Sequence, residues 1–128
     1  MTPEVPIDVE VVFSIGSNCG DRHTNVKAGI EWLAHIISDF KVSPIYATPD
    51  CLGSQKEYIN AVAKGASSLS AEKLESLCKK YESSCGRNDE TRKSNLVPID
   101  IDLVVYGPDI LRPRDFSREF FQIGFKSV

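Results

Sequence analysis

Pro98–Tyr106 reads PIDIDLVVY. Its first half alternates, with Ile99, Ile101 and Leu103 on one side and Asp100 and Asp102 on the other, and its second half is continuously apolar. Such a pattern predicts a strand that enters a core with one face still polar. Gly107-Pro108 ends it, and Asn88–Asn95 before it reads as a polar, highly charged loop. Further upstream, Ser70 is a good N-cap for a helix whose apolar stripe is Leu74, Leu77, Cys78 and Tyr81, and Gly86 stops that helix. Glu57–Lys64 (EYINAVAK) alternates as a strand, preceded by a loop over Pro49–Ser54. Lys41–Thr48 (KVSPIYAT) is another strand, and Pro44 within it points to a sheet edge. Val26, Ile30, Leu33, Ala34 and Ile37 fall on one helical face, with Asp21 or Asn25 as the cap. Trp32 and Ile36 lie beside that stripe, which makes Trp32 a packing residue. Val9–Ile15 (VEVVFSI) is the first strand and ends in the turn cluster Gly16-Ser17-Asn18. A short amphipathic tail covers Asp115–Phe125.

The resulting order is β-α-β-β-α-β. It predicts an α+β chain of the ferredoxin-like kind, a four-stranded antiparallel sheet with two helices on one face, as a single domain over residues 1–128. That arrangement hosts many activities and names none.

With 128 residues, 41% hydrophobic and 26% charged, the composition is that of an ordinary globular domain. A net charge of −3 argues against a nucleic-acid partner. No apolar run approaches the ~18 residues of a membrane span. Met1–Glu10 carries three acids and two prolines and does not read as a secretory signal. Cys19, Cys51, Cys78 and Cys85 form no C-x-x-C pair, and His23 and His35 stand at no zinc-finger spacing from them. The expectation is four reduced thiols in a cytoplasmic protein.

Four local features could carry chemistry. Asp100 and Asp102, two apart on a strand, share a face at about 7 Å between Cα atoms. They read either as a clamp for Mg2+, a hard ion that takes carboxylates and phosphate oxygens, or as a solvated acidic face. The turn Ser14–Arg22 lets backbone N–H groups approach a ligand, or is simply tight. Tyr58 and Asn60 share a strand face and can hold a flat heterocycle by stacking and hydrogen bonds, or can be packing and surface. Glu82 and Arg87 flank a helix end, where an arginine reaches a phosphate or the helix's own carbonyls.

In this order the chain resembles the 6-hydroxymethyl-7,8-dihydropterin pyrophosphokinases, as a short and divergent member. The matching stretches are Val12–Arg22 (VFSIGSNCGDR), Val42–Pro49 (VSPIYATP), Gln55–Val62 (QKEYINAV), Tyr81–Arg87 (YESSCGR) and Ile99–Tyr106 (IDIDLVVY). The resemblance implies transfer of pyrophosphate from ATP to the hydroxymethyl group of a reduced pterin in folate biosynthesis, with release of AMP. It implies Asp100 and Asp102 as catalytic ligands of two Mg2+ ions. Asn60 would bond the pterin ring, Tyr58 and Phe120 would sandwich it, and Thr48, Pro49 and Leu52 would line the same pocket. Glu82 would contact the nucleotide and Arg87 would stand on the phosphate side.

The departures fall mostly on the ATP side. An arginine that the family carries three residues before the first Asp is Val97 here. A second arginine is matched by Asp89, and a loop aromatic by Ser94. The family's Pro-His pair reads Pro113-Arg114, and its R-x-F reads Arg118-Glu119-Phe120. Arg92, Lys93, Arg112 and Arg114 are available as replacement phosphate contacts, with Arg118 on the nucleotide side. The alternatives are a catalytically weak or inactive pterin-binding relative, and a binding or regulatory domain whose two aspartates are surface acid. ATP and a reduced pterin are the expected partners, with no nucleic acid and no membrane, and oligomeric state is left open.

Overall fold

The computed structural model describes residues 8–49, 57–94 and 96–128. Among these, β1 (Val9–Ser17) is followed by α1 (Arg22–Ile36), β2 (Ser38–Val42), β3 (Tyr46–Pro49) and β4 (Glu57–Ser67). Then come α2 (Ala71–Ser84), α3 (Asp89–Lys93), β5 (Asp100–Tyr106), β6 (Asp109–Ile110), α4 (Pro113–Ser117) and α5 (Glu119–Phe125). The fold is mixed α+β around an antiparallel sheet, in the order β2-β4-β1-β5-β6 with β3 also paired to β4. No helix among the described residues is long and apolar enough to cross a membrane.

The sheet has six strands where four were expected. One extra strand comes from splitting the expected Lys41–Thr48 strand at Ser43-Pro44-Ile45. Pro44 has no N–H to give the ladder. Ser43 repairs the gap, since its hydroxyl accepts from Val62 N at 2.9 Å and its own N–H donates to Val62 O at 2.9 Å. The other extra strand, β6, is a two-residue return after the Gly107 turn (φ +57°). β1 also runs two residues beyond the expected end, so Gly16 and Ser17 belong to the strand, and β4 continues to Ser67.

Two apolar layers flank the sheet. On one side Val11, Phe13, Ile15, Ile59, Ala61, Ala63, Ile101 and Leu103 meet Val26 and Leu33 of α1 and Leu74 and Cys78 of α2. Asp21 caps α1 by accepting from Thr24 N, and Ser70 caps α2 by accepting from Lys73 N. Gly29 takes the place expected of Ala34, which is exposed, because a Cβ at Gly29 would already touch Ile99 and Ile101 at 3.3 Å. Trp32 stacks on Tyr81 with centroids 4.6 Å apart, so it is a packing residue. Burial pushes the Cys78 thiol up to about 12, which leaves it unreactive. Cys19, Cys78 and Cys85 are free, and Cys51 lies outside the described residues.

On the other side, Val12, Val62 and Val104 pack against Phe121, with Phe116, Phe120 and Phe125 around it. The expected tail is therefore two short helices, α4 and α5, covering the face opposite α1 and α2. A bulge helps, because Phe13 faces Leu103 while Val12 faces Val105. That leaves Val104 as the extra residue and turns both Val104 and Val105 toward this layer.

Tyr46 fastens α5 down. Its hydroxyl donates to Phe120 O and accepts from Gly124 N at 3.2 Å. Burial pushes its pKa up to about 12. Gly124 must be glycine, since a Cβ there would stand 2.5 Å from Val62 Cγ2. Tyr46→Phe strands two backbone groups and is expected to lower stability by about 1–3 kcal/mol. Urea unfolding followed by circular dichroism measures it, and an unchanged midpoint would show that Tyr46 does not hold α5.

Candidate active site

Alternation along β1, β4 and β5 sends one set of side chains into the α1/α2 core and the other to the opposite face. Asn60 pairs with Gly16, and Gly16 pairs with Asp100, forming one row across three strands. Val62, Ser14 and Asp102 form the next row. Adjacent strands lie about 4.8 Å apart, so Asn60 and Asp100 stand about 10 Å apart across the row. Gly16 is the gap between them. A Cβ there would meet Asn60 Oδ1 at 3.2 Å and Tyr58 Cδ1 at 3.5 Å. Gly16 lies in β1 and not in the expected turn, and its alternation phase with Val12 and Ser14 puts it on the aspartates' face.

At the Asn60 end, Thr48 stands opposite Tyr58 in the β3–β4 pair. Asn60 is buried, and its Nδ2 donates to Thr48 Oγ1 at 2.6 Å. Thr48, Tyr58 and Asn60 are thus neighbours on one face. Pro49 ends β3 opposite Glu57, and Leu52 lies outside the described residues. Phe120 is half-buried in the aromatic layer on the same side of the sheet.

At the other end, one oxygen each from Glu82, Asp100 and Asp102 lie within 4.8 Å of one another. Asp100 and Asp102 come from β5, while Glu82 comes round the strand edge from the last turn of α2. β6 flanks β5 at Val105 and Tyr106, but among the described residues the outer N–H of Ile101 has no strand partner. Glu82 Oε2 accepts that N–H at 2.9 Å. Its other oxygen accepts from Arg87 Nη1 at 2.8 Å, and Lys79 Nζ is 3.6 Å away. Burial raises the Glu82 pKa and Asp100 adds to it, against the Ile101 N–H, Lys79 and Arg87.

Arg87 Nη1 also donates to Asp100 Oδ1 at 2.8 Å. Burial opposes its charge, but Asp100 and Glu82 outweigh that and raise its pKa. Asp102 has only 12% of its side chain exposed. Burial pushes its carboxyl up to about 8 with the Asp100 carboxylate adding to the shift, and Arg112 pulls it back. Arg112 Nη2 lies 3.3 Å from Asp102 Oδ1, with its Nη1 3.7 Å from Asp115 Oδ2. Three crowded carboxylates, each with an oxygen within 4.8 Å of the others', make a hard-oxygen donor set. That is the chemistry a hard divalent cation satisfies.

The other basic residues singled out in the sequence lie on separate elements. Arg92 lies in α3, a helix inside what was expected to be a loop. Lys93 closes α3 and is exposed, as are Arg114 in α4 and Arg118 between α4 and α5. Asp89 starts α3 and Ser94 follows it. Val97 N donates to Asn18 Oδ1 at 2.6 Å, and Asn18 N donates to Val97 O at 2.9 Å. The turn after β1 thus clamps the segment leading into β5, a structural duty of Asn18 that no local sequence pattern signals.

The chain matches the family model described as 7,8-dihydro-6-hydroxymethylpterin-pyrophosphokinase over residues 12–128. It is 32% identical over 120 residues to the 2-amino-4-hydroxy-6-hydroxymethyldihydropteridine pyrophosphokinase of Aquifex aeolicus, covering 87% of this chain and 74% of that one. It is 32% identical over 100 residues to a folate synthesis bifunctional protein of Arabidopsis thaliana, covering 77% of this chain and 21% of the relative. It is 36% identical over 106 residues to the folate synthesis bifunctional protein of Chlamydia trachomatis, covering 77% and 23%. The chain thus spans about a fifth of the length of the bifunctional relatives. With its residues 12–128 accounted for by one family model, the chain belongs to the 7,8-dihydro-6-hydroxymethylpterin-pyrophosphokinase family.

Proposed function

We propose that this chain carries out Mg2+-dependent transfer of pyrophosphate from ATP to the hydroxymethyl group of 6-hydroxymethyl-7,8-dihydropterin, releasing AMP, in folate biosynthesis. The observation that carries the reading is the row Asn60–Gly16–Asp100 in a chain of this family. A flat ring read at Asn60 can reach over the bare Gly16 toward the carboxylates, a span of about 10 Å. We propose residues 1–128 as one domain with a ferredoxin-like βαββαβ core, to which β6, α4 and α5 are additions.

In this reading Thr48 orients the Asn60 amide, Asn60 hydrogen-bonds the polar edge of the pterin, and Tyr58 and Phe120 stack on its faces. Pro49 and Leu52 complete that side. Asp100 and Asp102 hold Mg2+, with two ions expected. The bound metal would neutralise charge on the phosphate oxygens, the main requirement of phosphoryl transfer. Glu82 and Arg87 fix the position of Asp100, and Arg92, Arg114 and Arg118 serve the polyphosphate.

AMP release from ATP that depends on added 6-hydroxymethyl-7,8-dihydropterin tests the reading, and release independent of the pterin would overturn it. Asn60→Leu removes a buried partner of the ring and is expected to weaken pterin binding by about 1–3 kcal/mol, roughly 5- to 150-fold. Fluorescence titration with the pterin measures this, and an unchanged affinity would take Asn60 out of the pocket.

A further inference from the structure

The metal-side carboxylates are not waiting in open water. Arg112 places one guanidinium nitrogen 3.3 Å from Asp102 and the other 3.7 Å from Asp115. Its backbone is held close to β5, because Leu111 N donates to Val104 O at 2.8 Å and Phe116 N to Arg112 O at 2.9 Å. The Arg112 side chain is 40% exposed, while that of Asp102 is 12% exposed. Arg112 is therefore a solvent-reachable cation on a fixed base, set on a carboxyl that a metal would claim.

We propose that Arg112 is an exchangeable cation. It pairs with Asp102 in the metal-free protein and moves to the nucleotide's polyphosphate when Mg2+ takes Asp102, with Asp115 keeping it at hand during the exchange. This rests on the reading above. Two oxygens that ligate one Mg2+ at about 2.1 Å stand about 3–4 Å apart. A phosphate oxygen sharing an ion with Asp102 thus arrives where Arg112 already reaches. A guanidinium displaced from a carboxylate finds in a phosphate another two-oxygen acceptor that its planar fork can grip bidentately. The exchange also explains how a chain with Val97 and Asp89 in place of two arginines can still supply positive charge at this end, from the segment after β5.

The inference separates from a purely structural role by the sign of two affinities. Removing a competing cation should tighten Mg2+ alone, while removing a phosphate ligand should loosen nucleotide. Calorimetric titrations of the whole chain with MgCl2 alone and with the Mg2+–ATP analogue measure both. Arg112→Gln is expected to bind Mg2+ without nucleotide about 3- to 10-fold more tightly, and a non-hydrolysable Mg2+–ATP analogue about 10-fold or more less tightly. Arg112→Lys keeps the charge but not the fork. It should hold Mg2+ affinity near wild type while losing most of the nucleotide affinity. Equal affinities in wild type and Arg112→Gln, or a parallel loss of both, would overturn the exchange. Failure of the wild-type chain to bind the analogue would instead overturn the transferase reading, and the exchange with it.

Discussion

Asp102→Asn is expected to reduce pyrophosphate transfer by roughly a thousandfold or more while leaving the fold intact. The carboxylate is one of three oxygens gathered within 4.8 Å, and an amide is a poor ligand for a hard cation. Metal stabilisation of transferring phosphoryl charge is worth several kcal/mol, and about 4 kcal/mol is already about a thousandfold. Stability should move the other way. Burial and the neighbouring Asp100 push the folded Asp102 carboxyl up to about 8, from an ordinary 3.8. A carboxyl whose pKa is raised by folding contributes stability that is present below the unfolded value and lost as pH rises through the folded one. Without Mg2+, wild-type stability should therefore fall between about pH 4 and pH 8. In Asp102→Asn that decline should be largely gone, because the amide does not titrate. Thermal melts across this range and initial rates of AMP release check the two halves. A variant with more than a tenth of wild-type turnover would remove Asp102 from the metal site.

Glu82→Ala should have the largest effect on folding. The residue is 2% exposed, accepts the unpaired edge N–H of Ile101 and shares Arg87 with Asp100. Deleting one partner of a buried ion pair typically costs about 3–5 kcal/mol, a large part of the ~5–15 kcal/mol that holds a domain folded. Glu82→Gln keeps an oxygen for Ile101 and loses only the charge, so it should cost clearly less, about 1–2 kcal/mol. Urea unfolding of the two variants separates them. Equal stability of Glu82→Ala and wild type would return Glu82 to the purely nucleotide-contacting role that the resemblance implies.

The strand bearing Asp100 and Asp102 was legible because one of its faces carries apolar residues and the other carries the carboxylates. Ile99, Ile101 and Leu103 went into the α1/α2 core and the aspartates to the opposite face, as alternation requires. Trp32 was legible for the same reason on a helix. The tail read as amphipathic, but periodicity says nothing about which face of a sheet a helix covers. That is decided by Tyr46, Gly124 and the Val104 bulge, partners far away in sequence. Within Asn88–Asn95 no apolar period exists to find α3, yet a cap was present. Asn88 Oδ1 accepts from Thr91 N at 3.0 Å and Thr91 Oγ1 from Asn88 N at 2.9 Å, a reciprocal start signal carried by polar residues. At the site, the residue types were readable and the ion pairs were not. Arg87 and Arg112 look alike as loop arginines, and only the return of the chain past β5 assigns each to its own carboxylate.

The segment 88–96 is moored at both ends, by Arg87 on Glu82 and Asp100 and by Val97 on Asn18. Its end-to-end distance is thus set by the sheet, whatever lies between. For such a closed loop, doubling the length adds only about 0.6 kcal/mol of closure entropy. Insertions, deletions or wholesale exchange of this stretch should therefore be nearly neutral for folding and leave the aspartates where they are. The carboxylate cluster and the loop between these two moorings become separable modules. A loop of different length and charge, grafted between Arg87 and Val97, is expected to leave the carboxylate cluster in place.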